Sequence, residues 1–427
     1  MEPLDSNRRI PELDGLRGLA ILLVLFFHYF ASSSLLPRYV SAFGRLSWSG
    51  VDLFFVLSGF LLGGILLDAK TSPAYFKTFY ARRAYRIVPV YAVTLVVFWL
   101  INAFWEVGKR NVAWQWLFSG SFPWYIYATF TQNFAMTLGG TLGPAWLGAT
   151  WSLAVEEQFY LTLPLIIRYV SRRRLPYVLG AIIIAAPVCR ALLRLFYANG
   201  VFGSFVLMPC RADSLMLGVA AALLLKSDQG FMFLVRHKRL IYGIETLLFA
   251  GMVWMARKET SVAPEAQLQQ VIADSPQMVE QSLSNMGHIW FVFRSYGRIA
   301  VSSLNYTWIA LFYLGLLLIA VAQRESLLSR GLRNRWLMAT GIIAYGTYLL
   351  HQGVLGLYYG FARGRTPTIQ NLSDLGLTVI ALVTTLVLAK VSWVYFEKPL
   401  VRRAHKYKYE QVDRQPHLPV NDLTLTD

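Results

Sequence analysis

The chain has 427 residues, of which 56% are hydrophobic, 15% aromatic and only 15% charged. Soluble domains carry about 25% charged residues, so a soluble fold of this composition would expose large apolar patches and is excluded in favour of a membrane protein. The net charge of +17 comes from short clusters between apolar runs, without a binding motif, so no nucleic-acid partner is expected.

Ten apolar stretches are long enough to cross the roughly 30 Å hydrocarbon core of a bilayer. The sequence therefore predicts an all-α, polytopic integral membrane protein with a single transmembrane domain over residues 1–408 and a disordered cytoplasmic tail at 409–427. The predicted spans lie at about 15–36, 48–67, 87–106, 151–170, 177–197, 211–226, 238–256, 304–322, 337–360 and 373–396.

The distribution of basic residues predicts the topology. Clusters at residues 8–9, 70–86, 172–174, 236–239, 324–335 and 398–408 alternate with loops that hold far fewer Lys and Arg. The positive-inside rule places these clusters and both chain termini in the cytoplasm, which predicts a multi-pass protein of the plasma (inner) membrane.

Two further segments are not predicted to cross the membrane. The aromatic stretch 112–138 is broken by glycine and proline, which favours a re-entrant or interfacial segment or a short helix. The polar stretch at about 257–303 is expected to be an outer surface loop, perhaps with some helix.

The first predicted span, "ELDGLRGLAILLVLFFHY", holds an arginine and a histidine that are expensive to bury. Arg17 and His28 are eleven residues apart, close to three helical turns, so they share one stripe about 16 Å long. Asp14 lies one turn before Arg17 on the same side. This stripe suits a substrate lying lengthwise, with its anionic part at Arg17 and its reactive part at His28, the candidate general base.

The third span begins with "FYARRAYRIVPVY". Arg82, Arg83 and Arg86 lie near its cytoplasmic start, at the depth of Arg17. Arginine forks match phosphate oxygens, so these residues are candidates to bind a phosphorylated donor. Ordinary anchoring of a positive inner loop is the alternative.

The fourth span begins with "TWSLAVEEQFYL", in which Ser152, Glu156 and Tyr160 recur at four-residue spacing and share a face. Glu156 would lie about 9 Å below the outer end by helical rise. A carboxylate at that depth needs a partner, and His28 on an antiparallel helix is the expected one. Glu156 is therefore predicted to orient the imidazole, and Ser152 and Tyr160 are weaker substrate-binding candidates.

Four later residues are weaker candidates for substrate binding. Asp52, Arg211 and Asp213 open predicted spans, and His351 lies well inside the ninth. A structural role in helix packing is the alternative for each of them. No Cys/His pattern predicts a metal site, and no phosphate loop or nucleophile elbow occurs.

Several short motifs occur in a fixed order. They are LDGLRG with the Arg17–His28 spacing, FFVLSGF at 54–60, RRAYRIVPVY at 82–91, TWSLAVEEQFY at 150–160, CRADSLMLG at 210–218 and YGTYLLHQ at 345–352. In this combination the chain resembles the membrane-bound acyltransferase family 3, which modifies sugars and related envelope acceptors. The likeness covers nearly the whole chain, and it is to members without an appended soluble esterase-like domain.

The resemblance implies transfer of an acyl group, commonly acetyl, from cytoplasmic acyl-CoA to a hydroxyl of a sugar or related acceptor. Carried onto this sequence, His28 is the base, Arg17 helps hold the donor, and Arg82, Arg83 and Arg86 meet CoA phosphates; Glu156 matches the acidic position of the family's SLxxE motif. The implied partners are acyl-CoA, a glycan or lipid-linked glycan, and membrane lipid, with no resident cofactor.

Two other classes remain open from the residues alone. A proton-coupled transporter would use the intramembrane His and Glu as a relay, although the absence of a repeated half weakens this interpretation. A polyprenol-linked glycosyltransferase would need paired acidic residues in an outer loop, and none is obvious. The acceptor, the acyl group and the oligomeric state are not specified by the sequence.

Overall fold

A computed structural model describes residues 10–31, 33–104, 112–258 and 287–409, and within them every regular element is helical. The first half comprises α1 (Pro11–Phe30), α2 (Arg38–Leu46), α3 (Gly50–Asp68), α4 (Tyr75–Phe104), α5 (Val112–Phe118), α6 (Trp124–Ala128), α7 (Gln132–Gly139), α8 (Ala145–Gly148), α9 (Trp151–Tyr169) and α10 (Leu175–Phe196). The second half comprises α11 (Gly200–Val206), α12 (Ala212–Leu225), α13 (Asp228–Arg236), α14 (Lys238–Lys258), α15 (Gly287–Ala322), α16 (Leu327–Leu332), α17 (Arg335–Ile342), α18 (Ala344–Ala362), α19 (Leu372–Ser392) and α20 (Lys398–Ala404).

Six helices of the described residues are long and apolar enough to cross a membrane. A seventh is added if α12 and α13, which are bent by 98° at their junction, form one broken span. The predicted all-α, multi-pass fold is confirmed, whereas the count of ten spans and the cytoplasmic position of both ends stay predictions. The six are Pro11–Phe30, Ser47–Asp68, Tyr75–Ala103, Leu175–Phe196, Ser302–Ala322 and Leu372–Ala404.

The predicted spans 151–170, 238–256 and 337–360 are helical but are less apolar than these six or are broken. The helix α9 carries Glu156, Glu157 and Arg168 within 19 residues. The predicted span 337–360 is not one helix, because it breaks at Ile343 into α17 and α18. These helices hold polar residues that face the protein interior rather than lipid.

Three segments differ in extent from the sequence predictions. The helix α4 starts at Tyr75, twelve residues before the predicted span at 87, so the arginine cluster lies on the helix itself. The stretch 112–138 forms three short helices, α5 to α7, none of which is long enough to cross a bilayer. Residues 287–303 are helical, while 259–286 and the tail 410–427 lie outside the described residues.

The centre of the bundle is the crossing of α3 and α12, where glycines bring the two backbones together. A Cβ on Gly59 would lie 1.9 Å from the Leu215 carbonyl oxygen, and one on Gly218 would lie 2.1 Å from the Val56 carbonyl oxygen. The approach at Gly18 is similar, where a Cβ would lie 2.0 Å from the Leu337 carbonyl oxygen of α17. Only glycine permits such contact between helices, so these residues fix the positions of α1 and α3.

The helix ends meet in two groups, which define two ends of the bundle. At one end Glu12 of α1 pairs with Arg333, and Asp68 of α3 pairs with Lys226. We call this the basic end because Arg17 and the arginines of α4 lie near it. At the opposite end, the Tyr29 hydroxyl of α1 donates to the His351 carbonyl oxygen of α18 at 2.9 Å.

We predict that Gly59→Ala destabilises the protein by about 1–3 kcal/mol, because the added methyl group forces α3 away from α12. Thermal unfolding of the purified protein in detergent measures this loss. Gly180→Ala in α10 is the control, since no atom lies within 4 Å of its added Cβ. An unfolding temperature for Gly59→Ala equal to that of the control variant would contradict the close crossing.

Candidate functional site

The polar stripe of α1 faces interior cavities at two levels. The Arg17 guanidinium is anchored by Asp14, with Nη1 3.1 Å from Oδ1. Three turns later, the His28 Nδ1 lies 2.9 Å from the Val24 carbonyl oxygen. Because a carbonyl oxygen can only accept, Nδ1 carries the proton and the lone pair is left on Nε2.

A first cavity, here the arginine cavity, lies at the level of Arg17. Guanidinium groups from α1 and α4 line one side of it, and hydroxyl and carboxylate groups from α3 and α9 line the other. In the described residues no carboxylate lies within ion-pair distance of Arg83 or Arg86. Its polar lining is Arg17, Ser58, Arg83, Arg86, Ser152, Glu156, Tyr160, Tyr345 and Tyr348.

Glu156 belongs to the arginine cavity, whereas Glu157 does not line it. The Ser58 hydroxyl donates to Oε1 at 2.7 Å, and the Tyr160 hydroxyl donates to Oε2 at 2.9 Å. The predicted contact with His28 is absent from the described residues, since each group has other partners. The Val24 carbonyl oxygen, not Glu156, orients the imidazole.

A second cavity, the terminal cavity, lies towards the carboxyl-terminal segment and shares Arg83 and Arg86 with the arginine cavity. Arg82 lines only this one; its Nε donates to the Tyr407 carbonyl oxygen at 2.9 Å, and its guanidinium lies 5.2 Å from the Tyr409 ring centroid. Residues 401–409 therefore complete a basic entrance beside α4.

A third cavity, the aromatic cavity, has a volume of about 430 Å³ and is lined by His28. Val51 and Tyr348 line both this cavity and the arginine cavity. The Tyr348 hydroxyl lies 2.6 Å from Ser152 Oγ and donates to the Ala149 carbonyl oxygen at 2.9 Å. These two side chains thus form the partition between the arginine level and the His28 level.

A fourth cavity lies at the opposite end and also reaches the catalytic candidate, since it shares Phe27, His28 and Gln352 with the aromatic cavity. Thr366 and Pro367, from the segment between α18 and α19, line its other side. Shared walls thus link the four cavities in a series, from the arginines of α4 to the loop beyond His28.

His351 lies directly beside His28, with the two ring centroids 4.7 Å apart. It has no solvent exposure, and its Nδ1 donates to the Tyr348 carbonyl oxygen at 2.6 Å. Its Nε2 has no hydrogen-bond partner in the described residues. The structure therefore brings the two predicted histidines together, with His28 on the cavity wall and His351 behind it.

Asp52, Arg211 and Asp213 lie behind the cavities rather than on their walls. All three are fully buried, and Arg211 pairs with Asp52 at 2.5 Å rather than with Asp213. Asp213 pairs with Arg190 of α10, through Nη2 and Oδ2 at 2.8 Å. The geometry gives these residues a helix-joining role, which was the alternative considered from the sequence.

Sequence reasoning missed several residues around the cavities. Ser58 stands within FFVLSGF and Gln352 directly follows His351, so both were visible in motifs without being selected. Arg190 was hidden inside an apolar span, and only the fold brings it to Asp213. The aromatic residues Trp48 and Tyr306 carried no signal at all, because their neighbours are distant in sequence.

The helical membrane fold and this series of cavities can be compared with known families. A family profile described as an acyltransferase domain matches residues 10–394. The chain therefore belongs to this acyltransferase family, as the order of its motifs predicted, and the expectation of an acyltransferase enzyme is confirmed. No solved structure matches the chain.

Curated relatives are named as peptidoglycan O-acetyltransferases. Peptidoglycan O-acetyltransferase OatA of Listeria monocytogenes is 34% identical over 172 residues, covering 37% of this chain and 24% of the relative. The putative peptidoglycan O-acetyltransferase YrhL of Bacillus subtilis is 26% identical over 424 residues, covering 92% and 55%. O-acetyltransferase OatA of Staphylococcus aureus is 30% identical over 182 residues, covering 41% and 28%. The chain thus spans about half or less of the length of these relatives.

We predict that Asp213→Ala destabilises the protein by about 3–5 kcal/mol, because it leaves the buried Arg190 guanidinium without its carboxylate. Unfolding in detergent, followed by circular dichroism, measures the loss. Asp68→Ala is the matched control; its pair with Lys226 is partly exposed and should cost at most about 1 kcal/mol. Equal losses in the two variants would show that burial of the Arg190–Asp213 pair is unimportant.

Proposed function

We propose that the chain is an integral membrane O-acyltransferase that moves an acyl group, most simply acetyl, from acyl-CoA to a hydroxyl of a cell-envelope glycan. The observation that carries this proposal is the series of shared cavity walls, which joins the arginines at the basic end to the Nε2 of His28. A donor with an anionic end and a reactive end fits such a path.

The donor phosphates bind at the basic end in this proposal. Arg83 and Arg86 have no carboxylate partner among the described residues, so their forks are free for phosphate oxygens. Arg82 extends the same surface at the terminal cavity, and Arg17 lies deeper, where the pantetheine arm passes towards the Val51–Tyr348 partition. Glu156, held by Ser58 and Tyr160, stays in the arginine cavity as a polar contact for that arm.

His28 performs the chemical step. Its Nε2 accepts the proton of the acceptor hydroxyl, the oxygen attacks the thioester carbonyl carbon, and the carbon–sulfur bond breaks. The proton then passes from Nε2 to the CoA thiolate, so that free CoA and an O-acyl ester leave. The bond from Nδ1–H to the Val24 carbonyl oxygen keeps Nε2 as the basic nitrogen throughout.

Membrane topology and the relatives support the direction of transfer and the class of acceptor. The positive-inside rule places the basic end in the cytoplasm of a plasma (inner) membrane, where acyl-CoA is made. The relatives are named for acetylation of peptidoglycan, which favours a glycan or lipid-linked glycan at the opposite end. Membership of an acyltransferase family favours this reaction over a transporter or a glycosyltransferase.

We predict that His28→Ala lowers the rate of acyl transfer by about 10²–10⁴-fold, because the hydroxyl then lacks a base. The assay is transfer of labelled acetyl from acetyl-CoA to a glycan by the purified protein in liposomes. His237→Ala is a matched control, because this exposed histidine makes the same Nδ1 contact to the carbonyl oxygen four residues earlier, at 3.0 Å. Undiminished transfer by His28→Ala would end this mechanism.

We predict that Arg83→Gln and Arg86→Gln each raise the KM for acetyl-CoA by about 10–100-fold, the range expected for a lost charge-assisted hydrogen bond. S-acetylpantetheine lacks the phosphates, so its KM should change little in either variant. Arg330→Gln is the control, since this exposed arginine lines none of the four cavities. An equal loss with both donors would place the phosphates elsewhere.

A further inference from the structure

The aromatic cavity has a wall of four aromatic side chains contributed by distant parts of the chain. Trp48 and Trp151 lie on either side of Phe205, with ring centroids 6.0 and 4.5 Å from it. Tyr306 of α15 closes the wall, 5.7 Å from Trp48. A volume of about 430 Å³ falls within the range of small-molecule sites, about 300–1,000 Å³.

A buried charge holds this aromatic wall from behind. The Arg211 guanidinium lies 4.2 Å from the Tyr306 ring centroid and within 5.9 Å of the centroids of Trp151 and Phe205. Its carboxylate partner, Asp52, has no solvent exposure. Cation–π attraction therefore fixes ring faces that would otherwise turn freely, so the wall is preorganised for a ligand.

Polar groups stand on the remaining side of the cavity, and they are unsatisfied. Gln352 lines the cavity together with His28, and its Oε1 is buried without a hydrogen-bond partner in the described residues. A buried amide oxygen without a donor is costly, so this position suits a ligand that brings its own hydroxyl. No carboxylate or guanidinium lines this cavity in the described part of the chain, which favours an uncharged ligand.

We propose that the aromatic cavity is the acceptor subsite and binds one pyranose ring of the glycan. The C–H face of the ring lies against Trp48 and its aromatic neighbours, while Gln352 exchanges hydrogen bonds with ring hydroxyls. This arrangement presents one hydroxyl to the Nε2 of His28. The inference rests on the proposed function and adds to it the place, the ring class and the side chains that select the acceptor.

Equilibrium binding of labelled chitotetraose, a β-1,4-linked tetramer of N-acetylglucosamine, tests the subsite without any chemistry. The experiment uses the full chain carrying His28→Ala, in detergent, without a donor. Trp48→Ala added to this background is expected to weaken binding about tenfold or more. Gln352→Leu is expected to weaken it similarly, whereas Trp48→Phe, which keeps a ring face, should recover most of the affinity.

The kinetic arm uses chains with an intact His28 and measures the KM of both substrates. Trp48→Ala and Gln352→Leu are expected to raise the KM for chitotetraose about tenfold and to leave the KM for acetyl-CoA within about twofold, since neither side chain lines the arginine or terminal cavity. Trp124→Ala is the matched control, because this tryptophan is 67% exposed and lines none of the four cavities.

The outcomes separate the two proposals. Acetyl transfer by the wild type with an unchanged chitotetraose KM in Trp48→Ala and Gln352→Leu would overturn the subsite and leave the acyltransferase proposal standing. Trp48-dependent binding of chitotetraose without any acetyl transfer would support the subsite and overturn the proposed reaction. No detectable binding of chitotetraose to the protein at millimolar concentration would overturn the subsite.

Discussion

Two fully buried ion pairs hold the centre of this bundle, and the arrangement of the site depends on both remaining paired. Arg190 and Asp213 join α10 to α12, and Arg211 and Asp52 join the start of α12 to α3. A lone charge in such surroundings is strongly unfavourable, so each pair admits essentially one register of its helices. The glycine crossing of α3 and α12 is then set along the same helices, and the ring of Tyr306 is set above Arg211.

The imidazole at the centre of the site is oriented by its own helix. Its Nδ1 contacts the carbonyl oxygen of Val24, one turn earlier, which also accepts the usual backbone hydrogen bond of an α-helix. A carbonyl oxygen has two lone pairs, so both contacts are compatible. The tautomer of His28 therefore does not depend on a distant carboxylate, which leaves Glu156 free to serve the arginine level of the protein.

The sequence was most informative where one helix carries the whole signal. The spacing of Arg17 and His28 gives the stripe that lines two levels of cavity, and the four-residue spacing of Ser152, Glu156 and Tyr160 gives the face turned to the arginine cavity. The prediction was wrong where the partner lies on another element. Nothing local in α9 shows that Ser58 satisfies Glu156.

Length and apolar character also misled where polar side chains face inward. The stretch 337–360 was taken as one span, yet its chain breaks at Ile343, next to the point where a Cβ on Gly341 would lie 2.0 Å from the Asp14 carbonyl oxygen. Such a break comes from contact with α1, which a hydropathy pattern does not contain. Residues that meet only in the folded chain, such as Trp48 and Tyr306, were beyond local reasoning for the same reason.

The partition of Val51 and Tyr348 has a consequence for the membrane itself. Cavities that follow one another from end to end of a bundle threaten the ion gradients that the bilayer maintains. Two hydrogen bonds fasten the Tyr348 ring across the junction between two of these cavities. The size of that ring is thus under opposing demands, because it has to let a narrow thioester arm pass while it keeps protons and small cations from leaking through.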